Sequence, residues 1–97
     1  MIRGTTPTHS FTLPINVDTI DEIHIIYSQN GRVKVRKTKK DCAMWDNKVE
    51  LKLSQNETLN FTHAPVQMQV RIMRQDTVMA SKVFTLNCGK CLENEVM

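Results

Sequence analysis

The chain has few glycines, cysteines and aromatic residues, and it has no long apolar run. Its 97 residues include three glycines, three cysteines and 5% aromatic side chains. So few glycines argue against a glycine-rich phosphate-binding loop, and three cysteines cannot form the even pairing of a secreted disulfide scaffold. No segment approaches the ~20 apolar residues of a membrane-spanning helix, and none near the N-terminus indicates a secretory signal. We therefore expect neither a membrane protein nor a disulfide-stabilised miniprotein.

The composition is that of one ordinary globular domain. Apolar residues make up 40% of the chain and charged residues 24%, with a formal net charge of +3, and these values do not indicate disorder. We expect a single domain over residues 1–97, with a flexible N-terminal arm (about 1–7) and a flexible C-terminal tail (about 90–97). No residue pattern indicates catalysis, so we expect no enzyme and no cofactor.

Apolar residues recur at every second position, which is typical of half-buried strands. The alternating residues are Phe11 and Leu13; Ile23, Ile25 and Tyr27; Val33 and Val35; Val49, Leu51 and Leu53; and Val66, Met68, Val70 and Ile72. In a last segment, Val83, Phe84 and Leu86, the alternation slips, which predicts a bulge. The spacing of the runs predicts an all-β fold, a single immunoglobulin-like antiparallel β-sandwich of about seven strands.

Asn30-Gly31 is the strongest turn signal in the chain. A two-residue type I′ turn at this dipeptide would place Lys34 opposite Tyr27 and mix charged and apolar side chains on one face. A three-residue loop with Gly31 as the bulge residue would instead pair Tyr27 with Val33. Because a one-residue slip is costly when one face is buried, we predict the three-residue loop with Val33 in the core.

Helix signals are confined to one place. Ser54 and Glu57 have the spacing of a capping box, but Pro65 and the strand that follows leave little room. We expect one short helical turn that crosses between the two sheets.

The positive charge is concentrated in one strand. Phosphate contacts require Lys and Arg on one surface, so a nucleic-acid-binding module using segment 32–40 is one hypothesis. The segment lacks the stacking aromatic residues of single-strand binders, and lysines on an outer strand also discourage pairing between sheet edges. The cations of this segment are Arg32, Lys34, Arg36, Lys37, Lys39 and Lys40.

Cys88 and Cys91 form the only CxxC motif. A structural zinc ion needs four ligands, so a zinc site would require Cys42 and a histidine as well. A redox pair would need a helix that starts inside the motif. We expect free thiols in a turn, with a small zinc or redox protein as an alternative.

Two further residues are candidates for contacts with a partner. Trp45 is the only tryptophan and lies beside a turn, where it either covers the core or anchors a contact; we favour the first interpretation. Met73 falls on the polar face of its strand, which makes it a candidate contact between copies of the chain.

Five stretches of the chain form a recognisable pattern: RGTTPTHSFTLP (3–14), DC (41–42), LSQNETLNF (53–61), VQMQVR (66–71) and GKCL (89–92). In these stretches the chain resembles a group of small uncharacterised phage and prophage structural-type proteins of Gram-positive gut bacteria. Residues 53–71 are also similar to the immunoglobulin-like N-terminal domain of phage baseplate upper proteins. The resemblance implies a virion-associated decoration, connector or baseplate adaptor that forms homo-oligomers and contacts other phage structural proteins. Such a protein would be located in the virion, or in the host cytoplasm during assembly.

Overall fold

The segments of period two form most of the strands of two antiparallel sheets, as seen in a computed structural model that describes residues 1–97. In chain order the strands are β1 (Thr8–Thr12), β2 (Glu22–Gln29), β3 (Arg32–Thr38), β4 (Cys42–Trp45), β5 (Lys48–Lys52), β6 (Val66–Arg74), β7 (Thr77–Ala80) and β8 (Phe84–Leu86). One sheet has the order β1-β5-β4, and the other has the order β3-β2-β6-β7 with β8 also paired to β6. The predicted all-β sandwich is confirmed, with eight strands instead of about seven; β4 and β7 are the two that the sequence did not indicate.

The core lies between the two sheets and is built from the alternating residues. Ile25 and Tyr27 on β2 are fully buried, and Leu51 on β5 and Val70 on β6 are also buried. Burial contributes about 25 cal/mol per Å² of apolar surface, so this shared layer is the main source of stability.

One short helix joins the sheets. Helix α1 (Gln55–Leu59) follows β5 and precedes β6, so it crosses from the three-stranded to the five-stranded sheet. The Ser54 Oγ accepts a hydrogen bond from the Glu57 amide, and the Glu57 carboxylate accepts one from the Ser54 amide. The predicted capping box and crossing turn are confirmed. No helix is long and apolar enough to cross a membrane.

The β2–β3 hairpin differs from the prediction at its turn. Asn30 and Gly31 both have positive φ values, 52° and 77°, and Gln29 pairs with Arg32 across them. This geometry is a two-residue type I′ turn, so the predicted three-residue loop is wrong.

A bulge inside β3 then corrects the register. Ser28 pairs with Val33 and Tyr27 with Val35, which leaves Lys34 as the extra residue. The bulge turns Val35 to the core opposite Tyr27 and leaves Val33 56% exposed, so the prediction that Val33 is a core residue is also wrong. The apolar face was preserved, but the extra residue lies in the strand and not in the turn.

The last two strands run along the same edge of β6. Arg71 pairs with Ala80 at the end of β7, and Met68 pairs with Phe84 at the start of β8. Two residues of β6 therefore lie opposite the three residues 81–83, an excess of one. The bulge predicted within the last strand is not seen, because β8 pairs with β6 without a register shift and residue 83 lies outside it; the extra residue lies in the connection between β7 and β8.

The two chain ends lie beside each other. Ile2 forms a parallel bridge with Gly89, and the Arg3 guanidinium donates hydrogen bonds to the carbonyl oxygens of Leu59 (3.0 Å) and Phe61. The Arg3 fork thus satisfies carbonyls at the C-terminal end of α1. The mobility of the arm stays a prediction, and these are the contacts that would break if the arm detached.

Candidate interaction surface

Sheet edges are the first places to look for a partner, because their outer backbone groups are unpaired. The three-stranded sheet ends in β1 and β4, and the five-stranded sheet ends in β3 on one side and in β7 and β8 on the other. These edges differ sharply in charge and in exposed apolar area.

Strand β7 is the least covered strand of the domain. It follows a two-residue turn at Gln75 and Asp76 and pairs only with the end of β6. All four of its residues, Thr77-Val78-Met79-Ala80, are exposed. They are uncharged and carry no proline, so neither charge nor proline blocks this short edge strand.

Exposed apolar side chains are concentrated at this edge. Eleven large apolar residues of the chain are exposed. Five of them lie on or beside the edge that β7 and β8 form along β6. They lie on both faces of the sheet: Met79 and Phe84 pair with the buried Ile72 and Met68 on the groove face, whereas Met73 and Val78 pair with each other on the outer face. We call this group the β7 edge surface; it consists of Met73, Val78, Met79, Val83 and Phe84.

An open groove separates the β7 edge surface from β1. The groove has a volume of about 540 Å³, and none of its eleven lining residues is charged. Phe11 and Leu13 line it from β1 and the residue that follows, while Ile72, Met79 and Phe84 line it from the other sheet. The sandwich is therefore not closed on this side.

The backbone of β7 also has unpaired groups. The Ser81 amide donates a hydrogen bond to the Val70 carbonyl at 2.8 Å, so Ser81 and Val70 occupy a hydrogen-bonded position of the antiparallel pair. Because hydrogen-bonded positions alternate along an antiparallel pair, the amides and carbonyls of Val78 and Ala80 point away from β6. These four groups are directed to the open edge.

The six cations of segment 32–40 do not all lie free on one surface. Lys37 points between the sheets and forms a 2.8 Å salt bridge with Glu57, and the Lys39 ammonium donates to the Ile20 carbonyl at 3.1 Å. The remaining side chains make no hydrogen bond or salt bridge: Arg32, Lys34, Arg36 and Lys40. Since β3 is an edge strand, these cations lie where they oppose pairing with another sheet.

The Lys37–Glu57 pair links β3 to the helix cap. Burial alone would raise the pKa of Glu57, but hydrogen bonds from Lys37 and from the Ser54 amide lower it below its usual value. The inward position of Lys37 follows from the bulge, because the shifted register places Lys37 opposite the buried Ile25.

A polar contact inside the sandwich involves His9 and Tyr27. The His9 Nδ1 lies 2.6 Å from the Tyr27 hydroxyl. Burial raises the pKa of Tyr27, and burial together with the N-terminal ammonium lowers the pKa of His9. A neutral imidazole whose Nδ1 accepts a hydrogen bond from the Tyr27 hydroxyl satisfies both groups. No buried side-chain polar atom of the chain is left without a partner.

The cysteines are not brought together in a metal-binding group. Cys42 lies at the start of β4, whereas Cys88 and Cys91 follow β8, and no group of three or more His, Cys, Asp or Glu residues is arranged to hold a metal ion. The structure therefore does not assemble the three cysteines as the zinc hypothesis requires. Burial raises the pKa of Cys42 and of Cys88, which disfavours the reactive thiolate form.

Trp45 and Met73 lie on different edges. Trp45 ends β4 and is 44% exposed, so the interpretation that it covers the core is wrong. Met73 is 42% exposed and pairs with Val78, within the β7 edge surface. Sequence reasoning missed Val78 and Met79, because the turn before them lacks a hairpin signature.

Comparisons with known proteins found no similar protein. No family model matches the chain, and no curated protein or solved structure matches it. The proposal of a function therefore uses the geometry of the sheet edges as its structural basis.

Proposed function

We propose that this chain is a non-enzymatic structural or interaction module of a phage or prophage particle, present in repeated copies. One observation supports the association: five of the eleven exposed large apolar residues lie on the β7 edge surface, beside an uncharged groove. Exposed apolar side chains grouped along one sheet edge favour a protein–protein contact at that edge. The association with a phage follows from the sequence resemblance, including RGTTPTHSFTLP at residues 3–14.

The proposal includes an immunoglobulin-like arrangement of the sandwich and a role as a decoration, connector or baseplate adaptor. The protein would be found in the virion, or in the host cytoplasm during assembly. Its partners would be further copies of itself and other structural proteins of the particle.

Quantitative mass spectrometry of purified particles tests this function. We expect the chain to co-purify with particles through a density gradient, in a fixed ratio to the major structural protein. A mock preparation from cells that express the chain alone is the control. Absence from particles, with the chain recovered only in the soluble fraction, would contradict the proposal.

A nucleic-acid-binding function is the second candidate, because four cations near β3 have no partner: Arg32, Lys34, Arg36 and Lys40. Binding through them would weaken steeply as salt increases. Titration of short single-stranded and duplex DNA and RNA at low and moderate salt distinguishes the two functions. A chain that binds none of these nucleic acids at low salt would exclude the second candidate.

A further inference from the structure

We propose that β7 is the self-association edge of the chain: two copies pair β7 with β7 in antiparallel orientation around a two-fold axis at Met79. The proposal rests on the proposed function, because it names the surface through which the repeated copies meet. In such a dimer the five-stranded sheets of the two copies join into one continuous sheet.

Charge is the first reason to assign the edge to a second copy. A two-fold contact places each residue near its own counterpart or close neighbours, so an edge can pair with itself only if its charges do not repel. Self-pairing of β3 would bring Arg32, Lys34 and Arg36 of one copy close to the same cations of the other. Self-pairing of β7 brings together only uncharged residues.

Exposed area is the second reason. A compact monomer of this mass has an accessible surface of about 5,700 Å², whereas the chain exposes 6246 Å². The excess of about 550 Å² belongs to the whole chain, including the C-terminal Leu92 and Met97, which are 94% and 97% exposed; it shows that the chain has surface to bury toward the ~800 Å² that each partner contributes to a standard interface. The radius of gyration, 14.0 Å, also exceeds the ~12.5 Å of a compact domain of this length.

The register follows from the unpaired backbone groups. Val78 and Ala80 each direct an amide and a carbonyl to the open edge, as the Ser81-to-Val70 hydrogen bond implies. If Val78 lies opposite Ala80 of the second copy, all of these groups are used, with two hydrogen bonds in each of two symmetric pairs. The two-fold axis then passes between the two Met79 residues.

This register makes a specific geometric statement about Met79. The two Met79 residues form a non-hydrogen-bonded pair with Cα atoms about 4.5 Å apart, and their side chains lie on the groove side. Met79 and Phe84, now 37% and 39% exposed, become covered. Lys82 stands over the Phe84 ring at 5.4 Å, and Arg71 and Arg74 pair with β7 from β6, so these cations lie outside the four residues that pair between copies.

The rival edges have less apolar surface to bury. On β4, Cys42 and Met44 are already half-buried and only Trp45 is a large exposed apolar residue. On β1 the strand is bounded by Pro7 and Pro14, and proline lacks the amide that a ladder needs.

Light scattering after gel filtration, over a hundredfold range of concentration, is the first test. We expect the wild-type chain to reach twice its 11.2 kDa mass, and Met79→Lys to remain at the mass of one chain. Val33→Lys is the matched control, because it adds one lysine to the opposite edge of the same sheet; it should keep the wild-type mass. Thermal unfolding of each variant confirms that the fold is retained.

Cross-linking tests the register without adding charge. A pair at about 4.5 Å is within the range of a disulfide bond, so Met79→Cys should form a linked dimer with glutathione disulfide as the oxidant, at least tenfold faster than Val78→Cys. The wild-type chain controls for the three native thiols. Linkage of Val78→Cys at the same rate would overturn the register.

The proposal would be overturned if the wild-type chain stayed a monomer at every concentration, or if Met79→Lys kept the wild-type mass. It would also be overturned if only Trp45→Lys dissociated the dimer, because that result would assign the contact to β4. None of these results depends on whether the chain is present in particles. A dimer that is missing from particles would contradict the proposed function alone, and a monomer that is present in them would contradict this inference alone.

Discussion

The two outer edges of the five-stranded sheet, β3 and β7, are built in opposite ways. β3 has unpaired cations, a bulge at Lys34 and a final amide, that of Thr38, which is bound to the Asp41 carboxylate at 2.9 Å. β7 has no charge, no bulge inside the strand and two residues with free backbone groups. Both strands pair with a central strand of the same core, so the difference lies in what each edge presents to other molecules.

If β7 is the self-association edge, one sheet has separate strands for stability and for association. β3 contributes Val35 and Lys37 to the interior and is closed to further pairing by its outward charges. β7 buries none of its residues and adds little to the core. We therefore expect mutations at β3 and β7 to have different consequences, and four predictions test this expectation.

The largest effect should come from removing the charges that protect β3. Lys34→Thr/Arg36→Thr replaces two edge cations by a residue with high β-propensity, so β3 becomes a second open edge. We expect the mass from light scattering to rise well above that of the wild type as concentration increases. Lys48→Thr/Lys52→Thr removes the same charge from the central strand β5 and should not change the mass. Equal association of both variants would show that net charge, not edge protection, controls solubility.

The second prediction separates the two members of one cross-strand pair, Ile72 and Met79. Ile72→Ala removes a buried side chain and should lower the free energy of unfolding by about 2–5 kcal/mol. Met79→Ala should lower it by less than about 1 kcal/mol. Urea unfolding at low protein concentration, where association does not contribute, measures both. Similar losses would mean that β7 is part of the core and that the contrast between the edges is false.

The strands that the sequence predicted well are the ones whose apolar residues are buried by the opposite sheet. In β2, Ile23, Ile25 and Tyr27 alternate with half-buried residues as predicted. On β6 the buried residues from Val66 to Ile72 alternate with exposed or half-buried ones. Alternation reports burial on one face, so strands with a fully buried face are visible in the sequence.

The features that the sequence did not reveal depend on distant contacts. β7 follows Gln75 and Asp76, which are not a hairpin signature, and the Gln75 amide is held by the Asp21 carboxylate at 2.6 Å. The shifted register of β3 turns Lys37 inward, where it forms a salt bridge with Glu57, twenty residues away. The apolar edge surface follows from strand order, which periodicity does not encode.

The third prediction concerns Lys37, the one cation of β3 that points inward. Lys37→Met should lower the free energy of unfolding by about 1 kcal/mol, because a charge-assisted hydrogen bond to a partly exposed carboxylate is lost. Lys34→Met, which removes an unpaired cation, should change it by less than about 0.5 kcal/mol. Equal effects would contradict the assignment of Lys37 to the interior.

Acid adds a second test of the same pair. The pKa of Glu57 is lowered from its usual value of 4.5, so its stabilising contribution is present above about pH 4.5 and is lost as the pH falls through the folded-state pKa. In Lys37→Met this contribution is smaller, so stability should fall less steeply below pH 4.5 than in the wild type. Urea unfolding between pH 3 and pH 6 measures the slopes.

The smallest effects are expected at the turns that lead into the two edges. Gly31 has a φ of 77° and open space where a side chain would begin, so Gly31→Ala should cost about 1 kcal/mol from backbone conformation alone. Gln75 has a φ of 52° without being glycine, so Gln75→Gly should gain up to about 0.5 kcal/mol, the left-handed strain being partly offset by chain entropy. Urea unfolding of both variants measures the two changes. Opposite signs would show that the β3 turn is already optimised by local sequence, whereas the β7 turn is imposed by tertiary contacts such as that of Asp21. Two losses would instead mean that the Gln75 side chain itself stabilises the β6–β7 hairpin.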